Sequence, residues 1–182
     1  MSSDFDIVDK MRTLSQVDFN AIVLQIGIKP RLIKDLKFAR STSHLSAGWS
    51  DIELLAIEDR TGDEGVLLIQ PEDKLYAVQY ELSRRIVDSR TGRDRAIICD
   101  FCYTWQPGSG AASITFTHAS KKHSVRFLCC ADLACSGHAR TVTKAVVVSR
   151  AHLKESILND ERVARLKTRL IEKINDLRLE AV

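Results

Sequence analysis

The chain has 182 residues, of which 45% are hydrophobic and 28% charged, with a formal net charge of +3. These values describe one ordinary globular body, or a small domain with an appended element, and exclude a disordered or low-complexity chain; no apolar run approaches the roughly 20 residues that a membrane-spanning helix needs. The small net charge conceals an asymmetry: residues 1–82 hold 9 Lys+Arg against 14 Asp+Glu, a balance of −5, and residues 83–182 hold 18 against 10, a balance of +8. A basic second half is attracted to phosphate or to an acidic protein face, and charge alone selects neither.

The opening Met1-Ser2-Ser3-Asp4 carries neither the cationic region nor the small-residue cleavage site of a secretory signal. A reducing, cytoplasmic compartment is therefore expected, where thiols ligate metal rather than pair as disulfides. Asp4 to Thr13 reads as a short helix. Ser15, with Asp18 three residues on, makes a capping box before Phe19, Ile22, Val23 and Ile26, and Gly27 ends that helix. Pro30 opens a further short helix with Leu32, Ile33, Leu36 and Phe38, and the polar stretch from Ser41 to Ser50 reads as a loop. Residues 1–48 are thus expected to form a helical N-terminal segment.

After Trp49 the pattern changes to strands. Ile52 to Ile57 and Val66 to Ile69 flank the turn residues Asp59-Arg60-Thr61-Gly62-Asp63, which suits a hairpin. Leu75 to Leu82 places Tyr76, Val78 and Tyr80 on one alternating face and reads as a third strand. Ser89 to Arg95 is a basic polar loop, and Ala96-Ile97-Ile98 leads as a strand into the first cysteine. Pro107-Gly108-Ser109-Gly110 is a turn; Ser113 to Thr117 and Val125 to Cys129 read as two strands joined by residues 118–123. At the C-terminus, Val163, Leu166, Leu170, Ile174 and Leu177 recur at helical spacing, while Arg162, Arg165, Arg169, Lys173 and Arg178 take other positions. That amphipathic helix is expected to be capped by Asn159, with Asp160 and Glu161 in its first turn and Glu161 pairing with Arg165. Its apolar stripe is expected to pack on the sheet, with dimerisation or partner docking as the alternatives.

All five cysteines fall between Cys99 and Cys135. Cys99-Asp100-Phe101-Cys102 and Cys130-Ala131-Asp132-Leu133-Ala134-Cys135 are two close thiol pairs separated by strand-like sequence, a spacing that closes a tetrahedral zinc site. Cys130 ends a strand and Cys135 enters the first turn of a helix, so both sulfurs reach one ion, with Asp132 near the helix start. Knuckle, hairpin and helix in that order are the plan of a treble clef. Four thiolates outweigh one zinc ion in charge, and Arg95, Lys121, Lys122 and Arg126 are the nearby cations in sequence. Cys129 points to the opposite face if the strand persists, and is read as buried rather than ligating. His118, His123 and His138 also fall in the finger and are alternative ligands or acid–base groups; His44 and His152 have no chemical context. The fold expected is α+β: the helical segment, then an α/β domain over residues 49–182 with an antiparallel sheet, a zinc finger over residues 96–145 and a closing amphipathic helix.

With Cys130-Ala131-Asp132-Leu133-Ala134-Cys135-Ser136, the Cys99/Cys102 knuckle, the Gly108-Ser109-Gly110 turn and the tail Glu155 to Leu166, the chain resembles the elongation factor G-binding proteins of the fusidic-acid-resistance type over roughly residues 50–182. The resemblance implies a C-terminal treble-clef finger that binds elongation factor G and promotes its release from the ribosome, with no catalytic groups. Under it, Phe101, Tyr103 and Trp105 would be aromatic anchors and Lys121, Lys122, Arg126 and His138 further partner contacts. Two other classes stay open. One is an RNA-binding or ribosome-associated zinc module, in which Arg84, Arg85, residues 90–95 and the last helix track phosphates and Tyr103 or Trp105 stacks on a base. The other is a zinc enzyme with three cysteines, a histidine and an open position for water; the absence of an H-x-E signature, a Ser/His/Asp motif or a phosphate-binding glycine loop argues against it.

Overall fold

The computed structural model describes residues 14–42, 52–117, 124–153 and 155–182. The expected helix from Asp4 to Thr13, the loop residues 43–50 and the hairpin tip at 118–123 lie outside the described residues. Helix α1 (Gln16–Gln25) starts at the predicted box: Ser15 Oγ accepts from the Asp18 amide at 3.2 Å and the Asp18 carboxylate accepts from the Ser15 amide at 3.1 Å. Gly27, with φ of 67°, turns the chain out of it in a left-handed conformation that a Cβ would strain. Helix α2 (Pro30–Asp35) begins at Pro30, and Phe38 opens a separate helix α3 (Phe38–Thr42) rather than extending α2. Leu36 between them takes an extended backbone, which breaks the ladder.

Five strands form one antiparallel sheet in the order β1 (Leu54–Glu58), β2 (Glu64–Ile69), β3 (Tyr76–Ser83), β6 (Ala111–Thr117), β7 (Ser124–Cys130). The two short strands β4 (Ile97–Ile98) and β5 (Trp105–Gln106) make a separate ribbon. The strand at Trp105–Gln106 is too short to carry a periodic signal of its own. The remaining helices are α4 (Cys135–Ala139), α5 (Lys144–Leu153) and α6 (Asn159–Leu177).

Strand β2 is buried from Gly65 to Ile69 because helices cover both faces of the sheet. Alternation sorts the side chains. Leu55, Ile57, Val66, Leu68 and Ala77 share a core with Phe19, Ile22 and Val23 of α1 and Leu32 of α2. Leu54, Leu67, Ile69, Val78, Tyr80, Ile114 and Phe116 face the other way, onto the finger cysteines and onto Leu166, Leu170, Ile174 and Leu177 of α6. The expected packing of the α6 stripe on the sheet is therefore present. The β1 edge is covered: the Lys37 amide donates to Glu58 O at 2.8 Å and Ser41 Oγ accepts from the Glu58 amide at 3.1 Å.

Helix α6 begins one residue earlier than expected. Leu158 is its N-cap and Glu161 accepts from the Leu158 amide at 2.9 Å; Asn159 instead donates to Arg140 O at 3.3 Å. Arg165 pairs with Glu155, not with Glu161. Arg162 is likewise not apart from the apolar stripe: it is fully buried, four residues before Leu166 on the same stripe.

Gly65 marks the tightest point of the sheet. A Cβ there would lie 2.4 Å from Ile57 O and 2.8 Å from the Tyr80 hydroxyl, itself buried with no hydrogen-bond partner among the described residues. The backbone oxygen cannot yield without opening the β1–β2 ladder. Gly65→Ala is therefore expected to destabilise by about 3 kcal/mol, in the range of overpacked cores, read as a lower urea midpoint with unchanged slope; a midpoint within experimental error of the parent would contradict this packing.

Candidate metal centre

The knuckle is built by backbone geometry. The Tyr103 amide closes a turn on Cys99 O at 3.0 Å, and Tyr103 takes a left-handed φ of 59°, so Cys99 and Cys102 turn their sulfurs to one side. Asp100 fastens this turn to the sheet edge, its amide donating to Leu128 O at 2.9 Å and its carboxylate accepting from the Leu128 amide at 2.7 Å. On the other side Cys130 ends β7 and Cys135 opens α4, as the spacing predicts. Leu133, with φ of 51°, and an Asp132 turn, whose carboxylate accepts from the Ala134 amide at 3.0 Å, fold the intervening residues so that the two thiols converge.

Cys99, Cys102, Cys130 and Cys135 are each fully buried and their sulfurs lie within 4.8 Å of one another. The Cys99–Cys135 and Cys102–Cys130 separations are 3.7 and 3.6 Å. A disulfide would require about 2.05 Å. A zinc ion with four bonds of about 2.3 Å has sulfur–sulfur edges of about 3.8 Å, and the cluster fits that tetrahedron. The electrostatics agree. Burial opposes the Cys102 charge, yet the thiols of Cys130, Cys135 and Cys99 hold it well below the ordinary thiol range. Contact with Cys102 in turn drives Cys130 and Cys135 well above it. Four sulfurs so placed conflict with one another until a divalent cation lies among them.

Cys129 is buried outside this group, and burial raises its thiol far above the ordinary value. Polar neighbours orient the ligands: Gln106 Nε2 donates to Cys130 Sγ at 3.2 Å, and Thr104 Oγ1 lies 3.2 Å from Cys102 Sγ. Neither was visible in the sequence, because each lies in a two- or three-residue stretch without periodicity. His138 sits beside the cluster, with Nε2 3.2 Å from Asp132 and Nδ1 2.7 Å from Thr143 Oγ1. Cys130, Asp132 and His138 form a second convergent set that shares one thiol with the first.

The basic neighbours expected to offset the thiolate charge are elsewhere. Arg95 and Arg126 are exposed, Arg126 donating to Thr115 Oγ1 at 3.3 Å, and Lys121 and Lys122 lie outside the described residues with His118 and His123. Among the described residues the buried cation is Arg162, which donates to Glu155 at 2.7 Å and toward His138 O at 3.4 Å. Burial lowers it from the ordinary arginine range, while Glu155 and then Cys102 favour its charge.

Two of the expected partner contacts are corrected. Phe101 has no exposed surface, its ring 6.3 and 6.1 Å from those of Phe116 and Phe127, because the knuckle folds down over β6 and β7. His138 is equally buried, since α4 is enclosed between the sheet and α6. Tyr103 remains 38% exposed beneath the Arg165 guanidinium, 4.6 Å from its ring centroid. Trp105 is half-buried and stacks on His152 at 3.9 Å, which gives that histidine a context.

The finger helix is also bolted to the start of β1. Ser136 Oγ accepts from the Glu53 amide at 3.0 Å, and Arg140 clasps the Glu53 carboxylate with bonds of 2.8 and 2.6 Å.

A knuckle, a β-hairpin and a short helix that bring four cysteines to one point define a treble-clef zinc finger, with zinc as its structural cofactor. The chain belongs to the FBP C-terminal treble-clef zinc-finger family, which it matches over residues 31–176. No match was found among the curated proteins or the solved structures. Among the described residues, no helix is long and apolar enough to cross a membrane.

Proposed function

We propose that this protein is a cytoplasmic translation accessory factor that binds elongation factor G, or the ribosome carrying it, and promotes release of the factor. Membership of the zinc-finger family over residues 31–176 supports this reading, together with the resemblance to the fusidic-acid-resistance type. The action is binding, not catalysis: four sulfurs fill the coordination sphere of zinc and leave no position for an activated water. Release then follows from a population shift, with the protein contacting one state of the factor more tightly than another. Among the described residues, Tyr103, Trp105 and Arg126 are the expected contacts that keep exposed surface.

Calorimetric titration of the zinc-loaded protein with elongation factor G from the same organism, in RNA-free buffer, tests it. Saturable one-to-one binding that weakens at least tenfold in Tyr103→Ala, the loss of about 1.4 kcal/mol, is the expected result. Absence of any complex would refute direct binding.

A further inference from the structure

Between β3 and β4 the chain forms a second, smaller hairpin that the zinc site does not use. It is firmly built. Val87 bridges Asp94, the Arg95 amide donates to Ile86 O at 2.7 Å, and the Asp88 and Arg93 main chains bond at 2.9 Å. The Asp88 carboxylate accepts from the Arg90 amide at 2.9 Å and from the Thr91 amide and hydroxyl at 2.8 and 3.1 Å, and those bonds hold it below the usual carboxylate range. The two acids of this loop are thus engaged, Asp88 with the turn and Asp94 with Arg85 at 3.4 Å.

Arg90 and Arg93 stand exposed in the turn and Arg95 on the arm beside its base, and none of the three makes a salt bridge or side-chain hydrogen bond with a described residue, although Arg95 lies near enough to Asp88 to lower it further. Exposed arginines commonly sit on mobile side chains of mobile loops. Here the backbone that carries them is hydrogen-bonded across the turn. The loop base rests on the finger ribbon, where Gly108 packs so closely that a Cβ would lie 2.7 Å from that of Asp94. The half-buried Trp105, on its His152 stack, lies on the same ribbon opposite Ile98, which is 37% exposed.

We infer that this hairpin is a docking surface for single-stranded RNA, with Arg90, Arg93 and Arg95 on successive phosphates and the Trp105–His152 stack as the aromatic platform beside them. Guanidinium forks match phosphate oxygens bidentately. Guanidiniums carried on a hydrogen-bonded loop next to an aromatic surface are a combination that single strands bind. The preference for RNA over other polyanions rests on the translational reading given above.

The test is fluorescence anisotropy of a labelled twelve-nucleotide RNA against the full chain, zinc-loaded, across a salt series. Binding should weaken steeply with salt. The triple variant Arg90→Ser, Arg93→Ser, Arg95→Ser should bind at least about tenfold more weakly and lose about two from the log–log salt slope, about 0.7 per phosphate contact on a single strand, with zinc content and circular dichroism unchanged. Equal binding by parent and variant overturns the proposal, as does no RNA binding by the parent or equally effective competition from poly-L-glutamate. The same variant titrated with elongation factor G separates the two readings. Loss of factor binding by the variant with its RNA binding intact counts against this hairpin and leaves the factor reading standing; a parent that binds RNA through these arginines and does not bind the factor does the reverse.

Discussion

Stripping the zinc, or changing Cys130 to Ser, unfolds one face of the sheet and not only the finger. All four cysteines belong to the same core as Leu67, Ile69, Phe116 and the apolar stripe of α6, so the metal site and the sheet have no separate interiors. Structural zinc in isolated fingers carries about 10–16 kcal/mol of apparent binding energy, comparable to the whole stability of a domain. Thermal unfolding followed by circular dichroism should show the midpoint falling by more than about 10 °C, given about 2–4 °C per kcal/mol at this size, with the α6 signal lost in the same transition. Cys129→Ser should retain one zinc per chain and lose only about 1–2 kcal/mol for its buried hydroxyl. Acid acts in the same direction as chelation. Zinc holds deprotonated sulfurs, so the stabilisation is present at neutral pH and disappears as falling pH protonates them. A metal-free protein that melts at the parent temperature would contradict the shared core.

Glu53→Ala is the second large effect, and it separates anchoring from metal binding. The Glu53 side chain is 2% exposed and that of Arg140 17%, so removing the carboxylate deprives a largely desolvated guanidinium of its bidentate partner. Breaking such a pair costs about 3–5 kcal/mol, whereas replacing both members with apolar side chains recovers much of the loss. Urea unfolding should therefore place Glu53→Ala well below the parent and the Glu53→Met, Arg140→Met double variant between them. Zinc content should remain stoichiometric in both, because no ligand is touched. Loss of zinc from Glu53→Ala would show instead that this clasp positions Cys135 directly.

Local signals were legible in the sequence. The Ser15–Asp18 box, the Asp59 to Asp63 turn, the alternation of β3 and the cysteine spacings each encode their geometry within a few residues, and each reappears in the fold. Contacts across long separations were not legible. Nothing near Glu53 announces Ser136 or Arg140, 83 and 87 residues away. Charge alone sets Arg162 apart from the apolar stripe of α6, though its spacing to Leu166 and Leu170 puts it on that buried stripe. Helix α5 went unread because Val146-Val147-Val148 is β-branched and follows neither helical nor strand periodicity; Val146 and Ser149 pack inward while Val147 stays 71% exposed. As an aromatic in the knuckle Phe101 suits a surface anchor, whereas Asp100 binds the knuckle flat to β7 and buries it.

The central claim is that four cysteines, and not three with a histidine, surround the metal. X-ray absorption at the zinc edge of the purified protein tests it most directly. Four sulfur scatterers at about 2.3 Å are expected, unchanged in His138→Ala. Three sulfurs with one nitrogen at about 2.0 Å, lost in that variant, would contradict it and move His138 into the coordination sphere.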